Sequence, residues 1–401
     1  MPSRVVDPAR QSPPTHGRLP TAALTLMALT GFIVIMTETL PAGLLPQLSA
    51  DFAVSEGTAG QLVSAYALGT VLAAIPAIAL TQGVSRKRLL VVGLLGFLIA
   101  NALTALAPSL VVALAARFVG GAFSGLLWGM LAGYARRIVA PEHAGRALAI
   151  AMTGTPVALS IGTPLGAWLG SVVGWRWAFL CVSALTAVVI VAVLPIVPDA
   201  RGGRSGDRPR LHRVAMIPGV AAVLAVVFTW MLAHNLLYVY IAPLLSSAGL
   251  GLRPDVALFA FGVAALVGIW ITGVLIDRAL RALTLCSVAA FVVAATVLTV
   301  AAGSLPATVG AILAWGVAFG GAATHLQTAS ANAAGRSADV ANAMLTTVFN
   351  AAIFAAGAVG AVIVDGIGAQ AVPVATGVLS VIAFLVVASA RRNGFPATAR
   401  P

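Results

Sequence analysis

The sequence predicts an all-α membrane protein of twelve transmembrane helices, arranged as two six-helix halves. Three observations carry this. The 401 residues are 60% hydrophobic and only 8% charged, with a mean hydropathy of +1.03, whereas about 25% of a water-soluble domain is charged. The apolar residues fall in runs as long as the roughly 20 residues that a helix needs to cross a bilayer. The basic residues fall in alternate gaps, 20 of 23 in the gaps of one side.

The elements follow in order. Residues 1–20 form a polar tail with Pro and Arg. No small-residue cleavage pattern follows the first apolar run, so no cleavable signal is expected. Apolar runs then occupy 21–46, 58–80, 89–107, 110–134, 146–170, 177–197, 214–246, 255–276, 282–302, 307–331, 338–364 and 370–390. Lipid cannot satisfy open backbone groups, so each run is read as helix. With the N-terminus in the cytoplasm, the inner segments hold 20 basic residues and the outer gaps only Arg176 and Arg253. One missed run would scramble that split, so both termini are placed in the cytoplasm. Residues 199–213 hold five Arg with Gly, Ser and Pro, a composition expected of a flexible cytoplasmic linker. It divides the chain into 21–198 and 214–390, and 391–401 form a C-terminal tail.

Several function classes are excluded. The net charge of +12 comes from 22 Arg and one Lys scattered through short gaps. No basic face for nucleic acid can form, and a positive-inside membrane protein explains the balance. Arg over Lys in an Ala-, Gly- and Val-rich chain points to a GC-rich bacterial genome, hence a bacterial inner membrane. Cys181 and Cys286 lie inside apolar runs, which implies no disulfide framework. Glu142 and His143 share a loop, but no metal or catalytic pattern and no phosphate-binding G-x-x-x-x-G-K-[ST] motif is present. No cofactor and no enzymatic activity is expected. A lipid-modifying membrane enzyme is a remote alternative, because no loop exceeds about 16 residues.

The loops 78–90 (I-A-L-T-Q-G-V-S-R-K-R-L-L) and 273–283 (G-V-L-I-D-R-A-L-R-A-L) occupy matching places in the two halves. Two similar six-helix halves are the pattern of a transporter with its substrate path between them. Two charges lie deep in apolar runs, Glu38 and Arg117. Each costs about 2.5–3.5 kcal/mol at a helix centre. Together that is on the order of a whole domain's net stability, so they need a partner or a polar cavity. Glu38 is expected to carry a coupling proton, with Arg117 beside it, and a static Glu38–Arg117 salt bridge is the alternative. Gly154, Ala158, Gly162, Gly166 and Gly170 repeat every four residues, a smooth stripe along one helix face. Pro156 and Pro164 should bend that helix. Candidate cavity residues are Trp128, Trp230, His234, Asn235, Tyr238, His325, Gln327, Asn342 and Asn350, with Thr346 at the same fourfold spacing as the last two. Helix-to-helix hydrogen bonding or an interfacial ring is the plainer role for each.

The segments T-E-T-L-P-A-G-L-L-P (37–46), R-F-V-G-G-A-F-S-G (117–125), T-G-T-P-V-A-L-S-I-G-T-P-L-G (153–166), G-W-R-W-A-F (174–179) and Y-I-A-P-L-L (240–245) resemble the major facilitator superfamily. Within it they are most similar to the twelve-span drug:proton antiporters that include sugar-efflux and chloramphenicol-resistance permeases. The resemblance covers about 21–390. It implies the major facilitator fold and export of a drug, sugar or related metabolite in exchange for protons, by alternating access. A proton symporter or a facilitator for nutrient uptake is the alternative. The partners implied are a small-molecule substrate, protons and the lipid bilayer, with no nucleic acid, and the chain as a monomer. The resemblance further implies proton coupling at Arg117 and an antiporter motif at Gly154, Pro156, Gly162, Pro164 and Gly166. It also implies a cytoplasmic gate among Arg86, Lys87, Arg88, Asp277, Arg278 and Arg281. Gln82 stands where the family's first loop usually carries an acid, which leaves Asp277 with Arg278 or Arg281 for the gating ion pair.

Overall fold

The computed structural model describes residues 19–81, 83–200 and 211–396. The expected tails to residue 18 and from 397, Gln82 and most of the expected linker (201–210) lie outside the described residues.

The described chain is helical, with no strand among the described residues. Its principal elements are α1 (Thr21–Phe52), α2 (Glu56–Leu80), α3 (Arg86–Ala105), α4 (Leu110–Arg137), α5 (Pro141–Val173) and α6 (Trp175–Ile196), followed by α7 (Val220–Val239), α8 (Ile241–Ala248), α9 (Pro254–Val300), α10 (Leu305–Ser337), α11 (Val340–Gly366) and α12 (Ala369–Ser389). Among the described residues, ten helices are long and apolar enough to cross a membrane. α9 accounts for two of the expected runs. Its 47 residues would reach about 70 Å at 1.5 Å per residue, twice the hydrocarbon core of about 30 Å. Non-helical backbone at Ala279 (φ −141°) kinks it between those runs. The expected runs fall largely on helix, and the run 214–246 includes a turn at 216–219.

Serine hydroxyls start several helices: Ser55 accepts from the Thr58 N–H (3.0 Å) and Ser85 from the Arg88 N–H (3.3 Å). They satisfy donors that the first turn leaves open. Apolar side chains cover the outside: Leu72, Val191, Val362 and Leu385 are all more than half exposed. Thr30, Asn101, Arg117, His234 and Asn350 are buried. This surface suits lipid, and the molecule is a multi-pass membrane protein.

The helices run alternately between two ends. One end, here the linker end, carries the start of α3, the end of α4 and the kink of α9. The other, the far end, carries the starts of α2, α4, α6 and α9 and the end of α11. α1 packs on α5 and α6, α2 on α4, and α3 on α4 and α6. α7 packs on α11 and α12, and α9 on α10 and α12. Two seams join these groups: α2 runs along α11, and α5 meets the first part of α9.

Candidate functional site

Proline builds the first part of the site. α1 is α-helical only to Thr39, passes through a 3-10 turn (Leu40–Leu44) and resumes at Leu45. Pro41 has no N–H and leaves the carbonyl four residues back, that of Thr37, without its helical donor. Arg117, buried on α4, supplies the missing donors. Nη1 donates to the Thr37 carbonyl, Nη2 to that of Glu38 (3.2 Å) and Nε to that of Leu62 on α2 (3.1 Å). The guanidinium also lies 4.6 Å from the centre of the Tyr66 ring, a favourable cation–π distance. Asn101 Nδ2 donates to the Thr37 hydroxyl (2.9 Å).

Arg117 therefore spends its fork on backbone, and Glu38 keeps its carboxylate. The two ion pairs of the described residues, Arg176 with Asp51 and Arg253 with Asp255 (2.9 Å), both lie at the far end. Glu38 is partly exposed and within electrostatic reach of Arg117, Tyr66 and Tyr238. Next to it the Thr39 and Thr163 hydroxyls are hydrogen-bonded at 2.7 Å. The Tyr238 hydroxyl sits beside that pair without hydrogen-bond geometry to a described residue. Glu38 thus stands where α1, α5 and α7 meet.

The small-residue stripe seats α5 against α1. A Cβ at Gly154 would strike the backbone of Ala28 and Phe32. At Gly162 it would meet Met36, at Gly166 Leu40 and at Gly170 Leu44. Both helices step by four, so the stripe is a close-packed rail along the broken segment of α1. Pro156 and Pro164 flank a π-helical stretch, Ala158–Gly162, and Ser160 Oγ donates from it to the Gly262 carbonyl of α9 (3.1 Å).

A second cluster lies among α7, α9 and α10. Trp315 Nε1 donates to His234 Nδ1 (3.0 Å), which makes that nitrogen an acceptor and leaves Nε2 to carry the ring proton. His234 stacks on Phe319, centroids 3.3 Å apart and planes within 2°, with Phe261 and Tyr238 around it. His325 Nε2 hydrogen-bonds the Thr272 hydroxyl (2.9 Å), and Trp230 packs between His325 and Phe319. Trp230, His234, Tyr238 and His325 of the expected cavity set are thus brought together. The others are not. Asn235 and Asn350 donate to carbonyls of their own helices, those of Met231 and Thr346. Gln327 is exposed, Trp128 is half-buried on α4, and Asn342 leaves its side-chain oxygen buried and unpaired. Phe319, Trp315, Phe261 and Thr272 escape sequence reasoning because ordinary aromatics and threonines in an apolar run carry no signal.

The far end is closed by hydrogen bonds between the two groups of helices. Asp365 at the end of α11 accepts from Ser55 Oγ (2.7 Å) and the Gly57 N–H (3.1 Å) at the start of α2. Gln61 Nε2 donates to the Gly357 carbonyl (3.0 Å) and Ser64 Oγ to that of Phe354 (3.1 Å). The Tyr240 hydroxyl also reaches Gly357 O (2.7 Å). On the other seam Arg253 Nη2 donates to Ser171 Oγ (3.2 Å).

At the linker end the expected gate residues do not pair with one another. Asp277 and Arg278 are exposed. Arg281 donates to the Val387 and Ala388 carbonyls at the end of α12 and to the Phe395 carbonyl in the turn that follows it (2.8–2.9 Å). The acid beside Arg86, Lys87 and Arg88 is Asp199, which follows α6. It accepts from Ser85 Oγ (2.6 Å) and the Lys87 N–H (3.2 Å). The Ser85 bond is the largest effect and holds its carboxyl below the usual range; burial, next in size, opposes it, and the Lys87 and Ala200 N–H groups and the Lys87 charge lower it further.

The Major Facilitator Superfamily family model matches residues 27–357. A chloramphenicol efflux pump of Mycobacterium tuberculosis is 31% identical over 383 residues, 90% of each chain. A purine ribonucleoside efflux pump of Shigella dysenteriae is 26% identical over 356 residues, 88% of this chain and 90% of that one. Among solved structures, a bacterial homologue of the human lysosomal transporter Spinster, inward-facing and occupied, superposes with a TM-score of 0.76. It is 16% identical and covers 97% of this chain and 100% of its own.

Proposed function

The chain belongs to the Major Facilitator Superfamily, and from that premise we propose that it exports a small organic solute in exchange for protons by alternating access. Residues 21–198 and 214–390 act as its two six-helix halves, in a bacterial inner membrane with both termini cytoplasmic. The relatives named as efflux pumps support the direction of transport. The sealed far end supports an inward-facing state with that end outside, the conformation in which the Spinster homologue was solved.

One observation carries the proton coupling. Glu38 is an acid inside a span, it lies at a helix break where three helices meet, and its carboxylate has no ion pair among the described residues. A carboxylate clamped by Arg117 would be locked. This one is free to take up a proton, while the guanidinium holds the broken backbone around it. Protonation from outside favours substrate release there, and deprotonation toward the cytoplasm resets the carrier. One proton suffices for a neutral solute. Moving one charge through 100 mV supplies about 2.3 kcal/mol and a tenfold gradient costs about 1.4 kcal/mol. Their ratio sustains a gradient of about fortyfold.

The test uses inverted membrane vesicles with chloramphenicol and purine nucleosides as trial solutes. Added substrate should release protons from wild-type vesicles. Glu38→Gln should still exchange labelled for unlabelled solute and should lose proton-driven accumulation. Accumulation by Glu38→Gln at the wild-type rate sinks the proposal.

A further inference from the structure

Most side-chain hydrogens around Glu38 are committed. Thr39 and Thr163 bring two hydroxyl hydrogens to three contacts: the bond between them (2.7 Å), that of Thr39 to the Ile35 carbonyl (2.8 Å) and that of Thr163 to the Ala158 carbonyl (3.3 Å). Neither keeps a hydrogen for a further group, although their oxygens keep lone pairs. The Tyr66 hydroxyl donates to the Val34 carbonyl (3.2 Å). Arg117 directs a hydrogen from each of its nitrogens to a carbonyl. The Tyr238 hydroxyl differs. It lies beside the threonine pair and within electrostatic reach of Glu38. Its side chain is buried, yet the oxygen has no hydrogen-bond partner among the described residues. An uncommitted hydroxyl in an apolar interior is costly, and polar groups at membrane depth are rare outside functional sites. Phenylalanine would fill the same place without that cost. The ring of Tyr238 is held elsewhere. It packs on His234 (5.5 Å between centroids), Phe261 (5.7 Å) and Trp315 (6.1 Å), all within 214–390, whereas Glu38 and Thr39 lie within 21–198. α7 also meets the 3-10 turn of α1 that follows Glu38.

We propose that Tyr238 is a positioning residue, the donor through which the second half of the chain responds to the charge on Glu38. Its O–H donates to the carboxylate when Glu38 is ionised. The bond loosens when Glu38 takes a proton, because a neutral carboxyl is the weaker acceptor. Tyr238 keeps its own hydrogen throughout, and the proton that moves is the one on Glu38. In the arrangement described here the bond is not made. The threonine pair, with lone pairs and no spare hydrogen, is the resting acceptor when Glu38 is neutral. The titratable groups that face Glu38 are Arg117 on α4, Tyr66 on α2 and Tyr238 on α7, and α5 brings the neutral Thr163. Arg117 and Tyr66 belong to the same half as Glu38, whereas Tyr238 reaches it from the other. A change of charge on α1 is thereby felt by the aromatic cluster that holds the Tyr238 ring. The inference rests on the reading of Glu38 as the proton carrier and adds how its charge reaches the other half.

Infrared titration of the purified full-length protein tests this without transport. The protonated-carboxyl band that vanishes in Glu38→Gln belongs to Glu38. In Tyr238→Phe, which keeps the ring, the midpoint of that band should move up by about half to one pH unit, the worth of one membrane hydrogen bond to the ionised form. Replacing Tyr238 by 3-fluorotyrosine makes the phenol a stronger donor and should move the midpoint down. The two changes have opposite signs, so a loss of folding in one variant does not imitate the pair. A purely structural role would change the melting temperature and leave the midpoint in place. A wild-type midpoint in both variants overturns the role of Tyr238 and leaves the export reading standing. The absence of any titrating band that depends on Glu38 overturns both the role of Tyr238 and the coupling proton at Glu38. Shifted midpoints in a protein that moves no solute in vesicles keep the role of Tyr238 and remove the export reading.

Discussion

Arg117→Lys keeps a buried positive charge and removes the fork. The guanidinium serves three carbonyls on two helices, those of Thr37, Glu38 and Leu62, and an ammonium in its place retains one. Two bonds are lost. Bonds from charged donors contribute about 1.5–3 kcal/mol each in water-soluble proteins. Side-chain bonds in membrane proteins average only about 0.6 and reach about 1.7 kcal/mol. The membrane figure governs here, so Arg117→Lys should cost about 1–3 kcal/mol. The structure adds a sharper expectation. The Thr37 carbonyl needs Arg117 because Pro41 supplies no N–H. Pro41→Ala restores an N–H at that place, and in its background Arg117→Lys should cost less by about one bond, 0.6–1.7 kcal/mol. Equilibrium unfolding of the four proteins in detergent gives this coupling as a double-mutant cycle. Additivity within about 0.3 kcal/mol would refute the account of Arg117 as the donor that replaces the proline's missing N–H.

Three further outcomes are expected. Gly154→Ala sets its Cβ against the backbone of Ala28 and Phe32, whereas Gly166→Ala meets the movable end of Leu40; thermal melts should show the first losing clearly more stability, and equal losses would dismiss the rail between α5 and α1. Asp199 has a depressed carboxyl in the folded protein, so its contribution is present above its unfolded value and lost as pH falls through the folded one; Asp199→Asn should be less stable than wild type at pH 7, the two should converge in acid, and a difference that grows toward low pH would contradict the cap. Asp365→Ala removes the acceptor for Ser55 and Gly57 and should open the far end more often, raising maleimide labelling of a cysteine at buried Ala59 about five- to tenfold; an unchanged rate would show that the seam does not depend on this carboxylate.

Much of the fold was legible because lipid is a strict solvent. It forces the backbone into helix and the charge into the gaps, so runs and arginines outline the architecture. Glu38 and Arg117 stood out for the same reason, as charges too costly to be accidental. Their relation was less legible. Sequence reasoning set the guanidinium against the carboxylate, while the structure sets it against carbonyls; the clue was Pro41, four residues after Thr37, whose missing N–H leaves that carbonyl without its helical donor. Asp199 was hidden at the edge of the linker, and only folding brings it beside Ser85. The seam between Asp365 and Ser55 joins residues 310 positions apart, beyond any local pattern. His234 stood out as a polar ring in an apolar run, but Phe319, the ring stacked on it, did not, because an aromatic in an apolar run carries no signal.

The first turn of α2 borrows its anion from a distant helix. If the two groups of helices separate, water replaces Asp365 at the Gly57 N–H, so the contact is exchanged rather than simply lost. Such exchanges are worth about 0.5–1.5 kcal/mol net, between about one and three times thermal energy. The closure is therefore specific in its fit and shallow in its depth: a latch that ordinary collisions with solvent can lift and that snaps back to one register.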